Sequence, residues 1–255
     1  MPQPSEPPVT LERTLEEIWP PFGLRIESPR LELRVVRETD FPAYVAAASS
    51  GVTHTTRNPF RQAWNEKDPE ALIKASLPFL WSTRSAVSPE HWHLAFGVFL
   101  KDSGDETSTA GQPGPGQPGP GQPGRGQPAE LIGVQDCYAH DWPILRTVSS
   151  GSWLRADRQG QGLGTEARAA MLLWAFDHFG AEYAESGAYT WNERSRRVSE
   201  SLGYFTSGTQ RVPDAHGVEP EWEHLFRLPK NDLLRPGFQI QVTGNAELKR
   251  FFGDD

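Results

Sequence analysis

The segment RQGQGLGTEARAA, from Arg158 to Ala170, places three glycines at alternate positions immediately before a run of strong helix formers. Ordered glycine loses more backbone entropy than any other residue, so this spacing needs a structural reason. The first turn of a helix has free backbone N–H groups and a partial positive charge. A glycine-rich approach leaves those groups open to an anion, because no side chain covers them. The segment therefore predicts a phosphate cradle at the start of a helix.

The composition indicates a globular protein with a sizeable core. Of the 255 residues, 36% are hydrophobic, and they include nine Trp and thirteen Phe. The formal charge is -8, from 33 acidic and 25 basic residues. This balance argues against broad nucleic-acid binding, which needs a basic surface, and is compatible with cationic substrates such as amines.

The single cysteine and the N-terminal residues bear on the cellular setting. Cys137 is the only cysteine, which excludes disulfides and Cys-based zinc sites within one chain and indicates a reducing compartment. The first 22 residues have neither a basic nor an apolar segment of the kind that makes a signal peptide. No apolar run approaches the roughly 20 residues that span a bilayer. We therefore expect a cytoplasmic protein that does not associate with membranes.

Seven segments have the alternating or fully apolar pattern of β-strands. An eighth, FQIQV, is a weaker candidate near the C-terminus. The seven segments cover residues 30–36, 92–100, 129–139, 147–155, 184–191, 204–212 and 223–228.

Helices are predicted between these strands from caps and apolar periodicity. A first helix would be capped by Thr10 and end before Pro20, and another would start at Asp68 and be interrupted by Pro78. The helix after the glycines would end at Gly180. Further helices are predicted over 38–51, 192–203 and 245–253, and the apolar face of the helix after the glycines would contain Ala167, Ala170, Met171, Trp174 and His178.

Residues 101–128 have a different composition, with a repeated Gly/Pro/Gln unit that cannot bury a core. The glycine spacing does not follow the strict third-position rule of collagen. We expect a disordered insert in an enlarged loop between two strands, with an interdomain linker as the alternative. The predicted organisation is an N-terminal extension over 1–25, one domain over 26–230 and a C-terminal tail over 231–255.

Three nucleotide-binding patterns compete for the glycine segment. A P-loop requires Lys after its last glycine, but Thr165 follows Gly164. A dinucleotide fingerprint requires a sixth-position glycine counted from Gly160, and that position is also Thr165. The pattern Q-x-x-G-x-G, which cradles the pyrophosphate of coenzyme A, is met by Gln159, Gly162 and Gly164.

A second motif, WNERSRRVSESLGYF, strengthens the coenzyme A assignment. Asn192 follows a predicted strand, Ser195 comes three residues later, and Gly203 and Tyr204 close the unit. With both motifs, the chain from about Arg30 to about Leu228 resembles the GNAT superfamily of N-acyltransferases, and it is most similar to the RimJ/RimL-like branch.

This resemblance implies a mixed α/β (α+β) fold, with a mostly antiparallel twisted sheet of about seven strands flanked by helices. Two neighbouring parallel strands would splay, and the pantetheine arm of acetyl-CoA would fill the gap. The backbone of the first splayed strand would contact that arm, the glycine segment would bind the pyrophosphate, and the second motif would reach the pantetheine and the thioester. The residues implied in cofactor binding are Trp153, Leu154, Arg155, Gln159, Gly160, Gln161, Gly162, Leu163, Gly164, Thr165, Asn192 and Ser195. Arg158, Arg196 and Arg197 are either phosphate ligands or ordinary surface charges.

The sequence departs from the family at both proton-transfer positions. Many members carry a Tyr general acid seven residues after the Asn, and here that residue is Ser199. We expect Ser195, or a water that it holds, to act as the proton donor, with Tyr204 or Tyr138 as alternatives. The strand before the glycines lacks the usual Glu, so Asp136 on the neighbouring strand, or a water chain, is the predicted base.

The implied activity is transfer of an acetyl group to a primary amine, on a protein N-terminus or a small molecule, by direct attack in a ternary complex. The alternative is a non-catalytic acyl-CoA-binding sensor or scaffold. A monomer or homodimer is expected.

A few other residues have side chains that can take part in binding or catalysis. His91 and His93 share a strand face, but no third ligand is evident, so no metal is predicted. Cys137 fits a core position better than a nucleophile, and His54 and Arg57 are weak candidates for acceptor binding.

Overall fold

The computed structural model describes residues 12–53, 55–85, 87–101 and 129–253. The predicted insert, apart from Lys101, and the acceptor candidate His54 lie outside the described residues. A nine-stranded sheet forms the centre, in the order β7-β8-β6-β5-β4-β3-β2-β1-β9. The strands are β1 Arg25–Glu27, β2 Leu31–Val35, β3 Trp92–Leu100, β4 Glu130–Ala139, β5 Thr147–Leu154, β6 Tyr183–Tyr189, β7 Phe205–Pro213, β8 Pro220–Pro229 and β9 Gln241–Thr243.

Neighbouring strands of this sheet are antiparallel with one exception, the parallel pair β5 and β6. The predicted fold class is therefore confirmed. The sheet has nine strands rather than about seven, because β1 and β9 add two short strands at one edge. β1 has only three residues, too few to show the alternation that identifies a strand in sequence, and β9 overlaps the weaker candidate FQIQV at Gln241 and Val242.

Helices cover both faces of the sheet. On one face, α2 and α3 pack over a cluster that includes Tyr44, Leu80 and Trp153. On the other, α5 and α7 pack over a larger cluster that includes Phe96 and Trp174. The helices are α1 Leu15–Ile18, α2 Phe41–Ser49, α3 Pro69–Ser85, α4 Trp142–Leu145, α5 Leu163–Leu173, α6 Glu193–Ser201 and α7 Asn245–Phe251.

Helix α3 runs through Pro78, so the expected interruption is wrong. A proline inside a helix removes one hydrogen bond and costs about 3 kcal/mol or more. Here Pro78 is exposed, so water can solvate the carbonyl that loses its partner. The opposite side of α3 buries Leu72 and Leu80 against the sheet, and this packing keeps the helix continuous.

The helix after the glycines begins at Leu163 and passes into a π-helical turn over Trp174–Phe179. Gly180 ends it in the left-handed conformation with φ 91°, as expected. The predicted apolar face is wrong at its last residue, since His178 is exposed and Phe179 is fully buried. A π turn holds an extra residue, which rotates the following side chains away from the α-helical register.

The two ends of the described chain pack against the same body. Thr14, rather than Thr10, caps α1 in a capping box with Glu17, and Thr10 lies outside the described residues. Near the C-terminus, Asn245 at the start of α7 accepts a hydrogen bond from Trp174 Nε1 at 2.9 Å. Among the described residues, no helix combines the length and the apolarity that crossing a bilayer requires.

We expect Leu248→Ala to lower the free energy of unfolding by about 2–5 kcal/mol, because Leu248 is fully buried in the larger cluster and its loss leaves a cavity. Ile144→Ala is the matched control, since Ile144 is 82% exposed and its loss should change stability by about 0.5 kcal/mol or less. Urea unfolding of both variants provides the measurement. Equal, small effects would show that α7 does not contribute to the core.

Candidate active site

The parallel strands β5 and β6 pair over only four positions and then separate. Pairing runs from Thr147↔Tyr183 to Ser150↔Ser186. Beyond this point β5 stays bonded to β4 and β6 stays bonded to β8, so each strand keeps its outer partner. Ser152 and Gly187, just past the last pair, are exposed. The inner edges of both strands therefore line an open gap, which we call the fork (Gly151–Leu154 and Gly187–Tyr189).

The glycine segment forms a cradle of unpaired backbone N–H groups at the start of α5. Gly160 has φ 75° and Gly162 has φ 78°, a left-handed conformation that glycine adopts without strain. A Cβ on Gly160 would have no atom within 4 Å. In the part of the chain that the structure describes, the N–H groups from Gly160 to Thr165 have no acceptor. The cradle is thus an open turn of backbone N–H groups at a helix start, and its binding of a phosphate stays a prediction.

Gly164 differs from the first two glycines because it lies inside α5 with ordinary helical backbone. A Cβ there would touch only Leu154 Cδ1, at 3.5 Å. The left-handed backbone conformation requires glycine at positions 160 and 162. At Gly164 the absence of a side chain leaves space next to β5.

Side chains fix the cradle from both sides. Gln159 Nε2 donates to the carbonyl of Leu154 at 2.8 Å, and its Oε1 accepts from Arg194 at 2.9 Å. From the other side, Arg30 donates to the carbonyl of Gln161 at 3.1 Å. The Gln159 side chain therefore orients the loop, and Arg30 and Arg194 are two cations beside the cradle that sequence reasoning missed.

Glu166 is a buried carboxylate in the first turn of α5, close to the cradle. Burial acts to raise the pKa of Glu166, but hydrogen bonds from Ser28 and Arg30 outweigh it, and the net pKa is lowered. Ser28 Oγ donates at 2.7 Å and Arg30 Nε at 2.6 Å. The carboxylate is therefore ionised and neutralised locally, so it does not cancel the positive field of the helix terminus.

Two of the three arginines that the sequence offered as phosphate ligands are held elsewhere. Arg158 pairs with Glu130, and Arg196 pairs with two glutamates of its own helix. Arg155 also pairs with Glu130, and its backbone N–H donates to the carbonyl of Ile132 at 2.9 Å. Of the three backbone contacts expected on β5, the N–H of Arg155 is therefore already used within the sheet.

Helix α6 brings the second motif to the fork. Asn192 caps α6, with Oδ1 accepting from the N–H of Ser195 at 3.2 Å. Ser199 is fully buried and accepts from Arg168, which also reaches Ser152 beside the gap. Ser195 precedes Ser199 by four residues, so both lie on one helix face. Because Ser195 is only half-buried, its hydroxyl occupies the more open end of that face.

The opposite face of the sheet, under α2 and α3, carries a carboxylate–imidazole pair. His93 Nε2 and Asp136 Oδ1 lie 2.8 Å apart on β3 and β4. Asp136 faces Gly151 across the β4–β5 ladder, which places it next to the fork. Burial first, and then the charge of Asp136, raises the pKa of nearby Tyr138. The structure thus pairs Asp136, the predicted base, with His93, which the sequence analysis considered only as a metal ligand.

Glu223 is a second carboxylate on this face that sequence reasoning missed. It is 5% exposed and binds Arg61 at 2.6 Å and Gln210 at 2.8 Å. A Cβ on Gly187 would lie 2.7 Å from Glu223 Oε1, so this glycine leaves room for the carboxylate at the fork. No local motif marks Glu223, because the contact depends on how β8 pairs with β6.

Aromatic side chains complete this face. The Trp153 ring lies 5.5 Å from Tyr44 and 5.4 Å from Trp64, and Trp64 lies 5.0 Å from Phe60. This cluster lies beside Asp136, whose partner is an imidazole, whereas Glu223 is neutralised by its ion pair with Arg61. The result is an apolar surface with one acidic group. Such a surface suits a ligand that combines an apolar body with an ammonium group.

The remaining reactive or ligand-type side chains have structural roles. Within the described ranges, no group of three or more His, Cys, Asp or Glu could hold a metal ion. Cys137 is fully buried, and burial raises the pKa of its thiol, which fits a core position. Arg57 pairs with Glu221 and stacks over Trp191.

Comparison with known proteins gives independent evidence on the family and the fold of this chain. A sequence profile described as Acetyltransferase (GNAT) domain matches residues 30–204, more than half of the chain. RimJ of Mycobacterium smegmatis in complex with CoA-disulfide superposes with a TM-score of 0.57 at 15% identity, covering 90% of this chain and 94% of that one. The ribosomal-protein-S5-alanine acetyltransferase of Vibrio fischeri superposes with a TM-score of 0.56 at 15% identity, covering 82% and 97%. An acetyltransferase (GNAT family) of Bacillus anthracis superposes with a TM-score of 0.54 at 17% identity, covering 81% and 99%.

We expect Gly162→Ala to raise the dissociation constant of coenzyme A at least about tenfold, a loss of about 1.4 kcal/mol, because a side chain would enter the cradle and strain its backbone. The left-handed conformation also costs an alanine about 1–2 kcal/mol of stability. Gly217→Ala is the control, since Gly217 has φ 74° with open space around it and lies in the loop between β7 and β8. Calorimetry should show equal destabilisation in both variants and weaker binding in Gly162→Ala alone. Normal binding by a folded Gly162→Ala protein would contradict the cradle.

Proposed function

The chain belongs to the acetyltransferase (GNAT) family, and on this premise we propose that it transfers the acetyl group of acetyl-CoA to a primary amine by direct attack in a ternary complex. The observation that carries the proposal is the continuity of the cradle and the fork. Gln159 joins them directly, because its side chain bonds to the carbonyl of Leu154 at the end of β5. A pyrophosphate on the cradle would therefore lead an attached arm into the fork.

The residues fit acetyl-CoA as the acyl-donor substrate. The N–H groups of Gly160 to Thr165 would hold the pyrophosphate, with Arg194 adding positive charge beside it. The open edges of Trp153 and Leu154 and the amide of Asn192 would hydrogen-bond the pantetheine arm. When bound, acetyl-CoA supplies an activated thioester at the fork. The likeness to a RimJ structure that contains a coenzyme A disulfide supports this assignment.

The acceptor would approach from the face that carries the two carboxylates. Asp136 would attract an ammonium group, and the aromatic cluster around Trp153 gives an apolar surface beside it. Glu223 is engaged by a guanidinium, whereas Asp136 is bonded to an imidazole that can itself accept a proton. We therefore assign the Asp136–His93 pair as the base that removes a proton from the attacking amine.

Ser195 is the assigned proton donor to the leaving sulfur. Its backbone is fixed by the cap from Asn192, and it lies one turn before Ser199, whose hydroxyl contacts Arg168 beside the fork. The buried hydroxyl of Ser199 is already held by Arg168, so it is a poorer donor.

A peptide N-terminus is the acceptor class that we propose first. One of the similar proteins is named for alanine acetylation of a ribosomal protein, which favours a peptide N-terminus as acceptor. Small amines remain the second class, because the aromatic and acidic surface would also accept them.

We expect release of free thiol from acetyl-CoA that depends on an added amine and reaches many turnovers per protein molecule. A panel of peptides with N-terminal Ala or Ser, polyamines and amino sugars would be compared with N-terminally blocked peptides as controls. Binding of acetyl-CoA without thiol release across the panel would contradict the enzyme and favour a sensor.

We expect Ser195→Ala to lower kcat about 10²-fold, the low end for a lost proton-transfer group, with little change in acetyl-CoA affinity. Asp136→Asn should lower kcat by a similar factor or more, because the amine loses its base. Ser199→Ala is the control on the same helix face and should have a much smaller effect. Steady-state kinetics with the identified amine gives kcat, and calorimetry gives affinity. A Ser195→Ala enzyme with full kcat would exclude Ser195 as the donor.

A further inference from the structure

Arg168 is a buried guanidinium without a counter-ion. It lies on α5 and is 4% exposed. Its nitrogens donate to the hydroxyls of Ser199 at 3.2 Å, Ser152 at 3.3 Å and Ser186 at 3.5 Å. Among the described residues, no carboxylate forms an ion pair with it. Arginine stays protonated in proteins, so a full positive charge is buried among neutral groups.

The surroundings of Arg168 contain further polar atoms but no negative charge. Its own Nε is buried without a hydrogen-bond partner, and the hydroxyls of Ser150 and Tyr204 lie beside each other as further buried neutral groups. Burial raises the pKa of Tyr204 to about 12, although Arg168 acts in the opposite direction, so this phenol stays neutral. Cys137 nearby is also a buried neutral thiol, and Glu185 is committed to Arg227. The cluster therefore has an excess of positive charge that its own residues do not balance.

The position of this charge coincides with the fork. Ser186 belongs to the last pair between β5 and β6, and Ser152 is the second residue of β5 beyond that pair. Ser152 is exposed, so the guanidinium that it contacts borders the open gap. Arg168 reaches the fork from the α5 face, whereas Asp136 and Glu223 lie on the opposite face. Arg168 therefore borders the fork on one face of the sheet, and the two carboxylates border it on the other.

Resting on the function proposed above, we propose that Arg168 supplies the positive charge that stabilises the thiolate of coenzyme A as it leaves the acetyl group. When the amine nitrogen bonds to the acetyl carbon, the carbon–sulfur bond breaks and its electron pair goes to sulfur. The amine proton goes to the Asp136–His93 pair. The sulfur leaves as a thiolate and is then protonated from a solvent water through the hydroxyl of Ser195, which gives up its proton as it takes one from that water. Arg168 keeps its protons throughout and acts by its charge.

This assignment explains the departure at Ser199. Many family members carry a phenol at that position, and here the position holds a small hydroxyl bonded to Arg168. The guanidinium extends from α5 into the space beside α6. A fixed charge in a site of low dielectric constant stabilises a developing anion more strongly than it would in water.

The test is a pH titration of the thiol of coenzyme A bound to the full-length protein, followed by the ultraviolet absorbance of the thiolate. The unliganded protein provides the baseline, and the buried Cys137 does not interfere because its pKa is raised. In the wild type, the bound thiol should titrate about 1 pH unit or more below the free thiol, as a nearby opposite charge predicts. Arg168→Met should return the titration toward that of the free thiol, with kcat lowered about 10²-fold.

Matched variants separate charge from structure. Arg168→Lys keeps a charge and should retain a lowered thiol titration, and so should Ser199→Ala, which removes only a hydroxyl. Arg168→Gln is a second uncharged variant, which keeps hydrogen-bond donors for the serines and should behave like Arg168→Met. The unliganded Arg168→Met protein should melt at the same temperature as the wild type or higher, because replacing a buried unpaired charge with an apolar side chain removes a desolvation cost.

Identical thiol titrations in the wild type and in the folded uncharged variants would overturn the role of Arg168 and leave the proposed acetyl transfer intact. A large drop in melting temperature for Arg168→Met and Arg168→Gln, with an unchanged thiol titration in Arg168→Gln, would assign Arg168 to the fold instead. A wild-type protein that does not bind coenzyme A would contradict the proposed function itself.

Discussion

The separation of two parallel strands after Ser150↔Ser186 is the constraint on which the rest of the site depends. Backbone groups at the inner edges of a sheet need partners, and unpaired ones are costly unless water or a ligand satisfies them. Because β4 and β8 hold the outer edges of β5 and β6, the gap cannot close by a simple shift of either strand. The sheet therefore keeps the fork open to an extended ligand, and the cradle of α5 lies at one end of the fork.

The fork separates two sets of reactive groups, one on each face of the sheet. One face carries the Asp136–His93 pair next to α3 and Glu223 with its partner Arg61, and the other carries Arg168 of α5 and Ser195 of α6. In the proposed function, the groups that would attract and deprotonate an ammonium are thereby kept apart from the groups that would stabilise a leaving anion. If Asp136 lay on the face of Arg168, the two would form an ion pair, and neither would be available to a substrate.

Local signals in the sequence were enough for the cradle and most of the sheet, because glycine at positive φ and period-two alternation are properties of short segments. They failed where one element depends on another. Pro78 is tolerated because of packing on the far side of α3, and the short strand β1 is defined by its pairing with β2 on one side and β9 on the other. Arg30, 136 residues from Glu166, and Glu223 beside Gly187 become site residues through topology alone. No motif encodes such contacts.

Hydrogen–deuterium exchange of the full-length protein, with and without saturating coenzyme A, tests the continuity of cradle and fork most directly. Exchange reports backbone N–H groups one segment at a time, and the N–H groups of Gly160 to Thr165 have no acceptor in the unliganded protein. Coenzyme A should slow exchange in peptides that cover 151–154 and 160–165 together, while peptides from β1 and α7 should not change. Protection of neither segment, or of only one of them, would contradict a single ligand path that runs from the cradle into the fork.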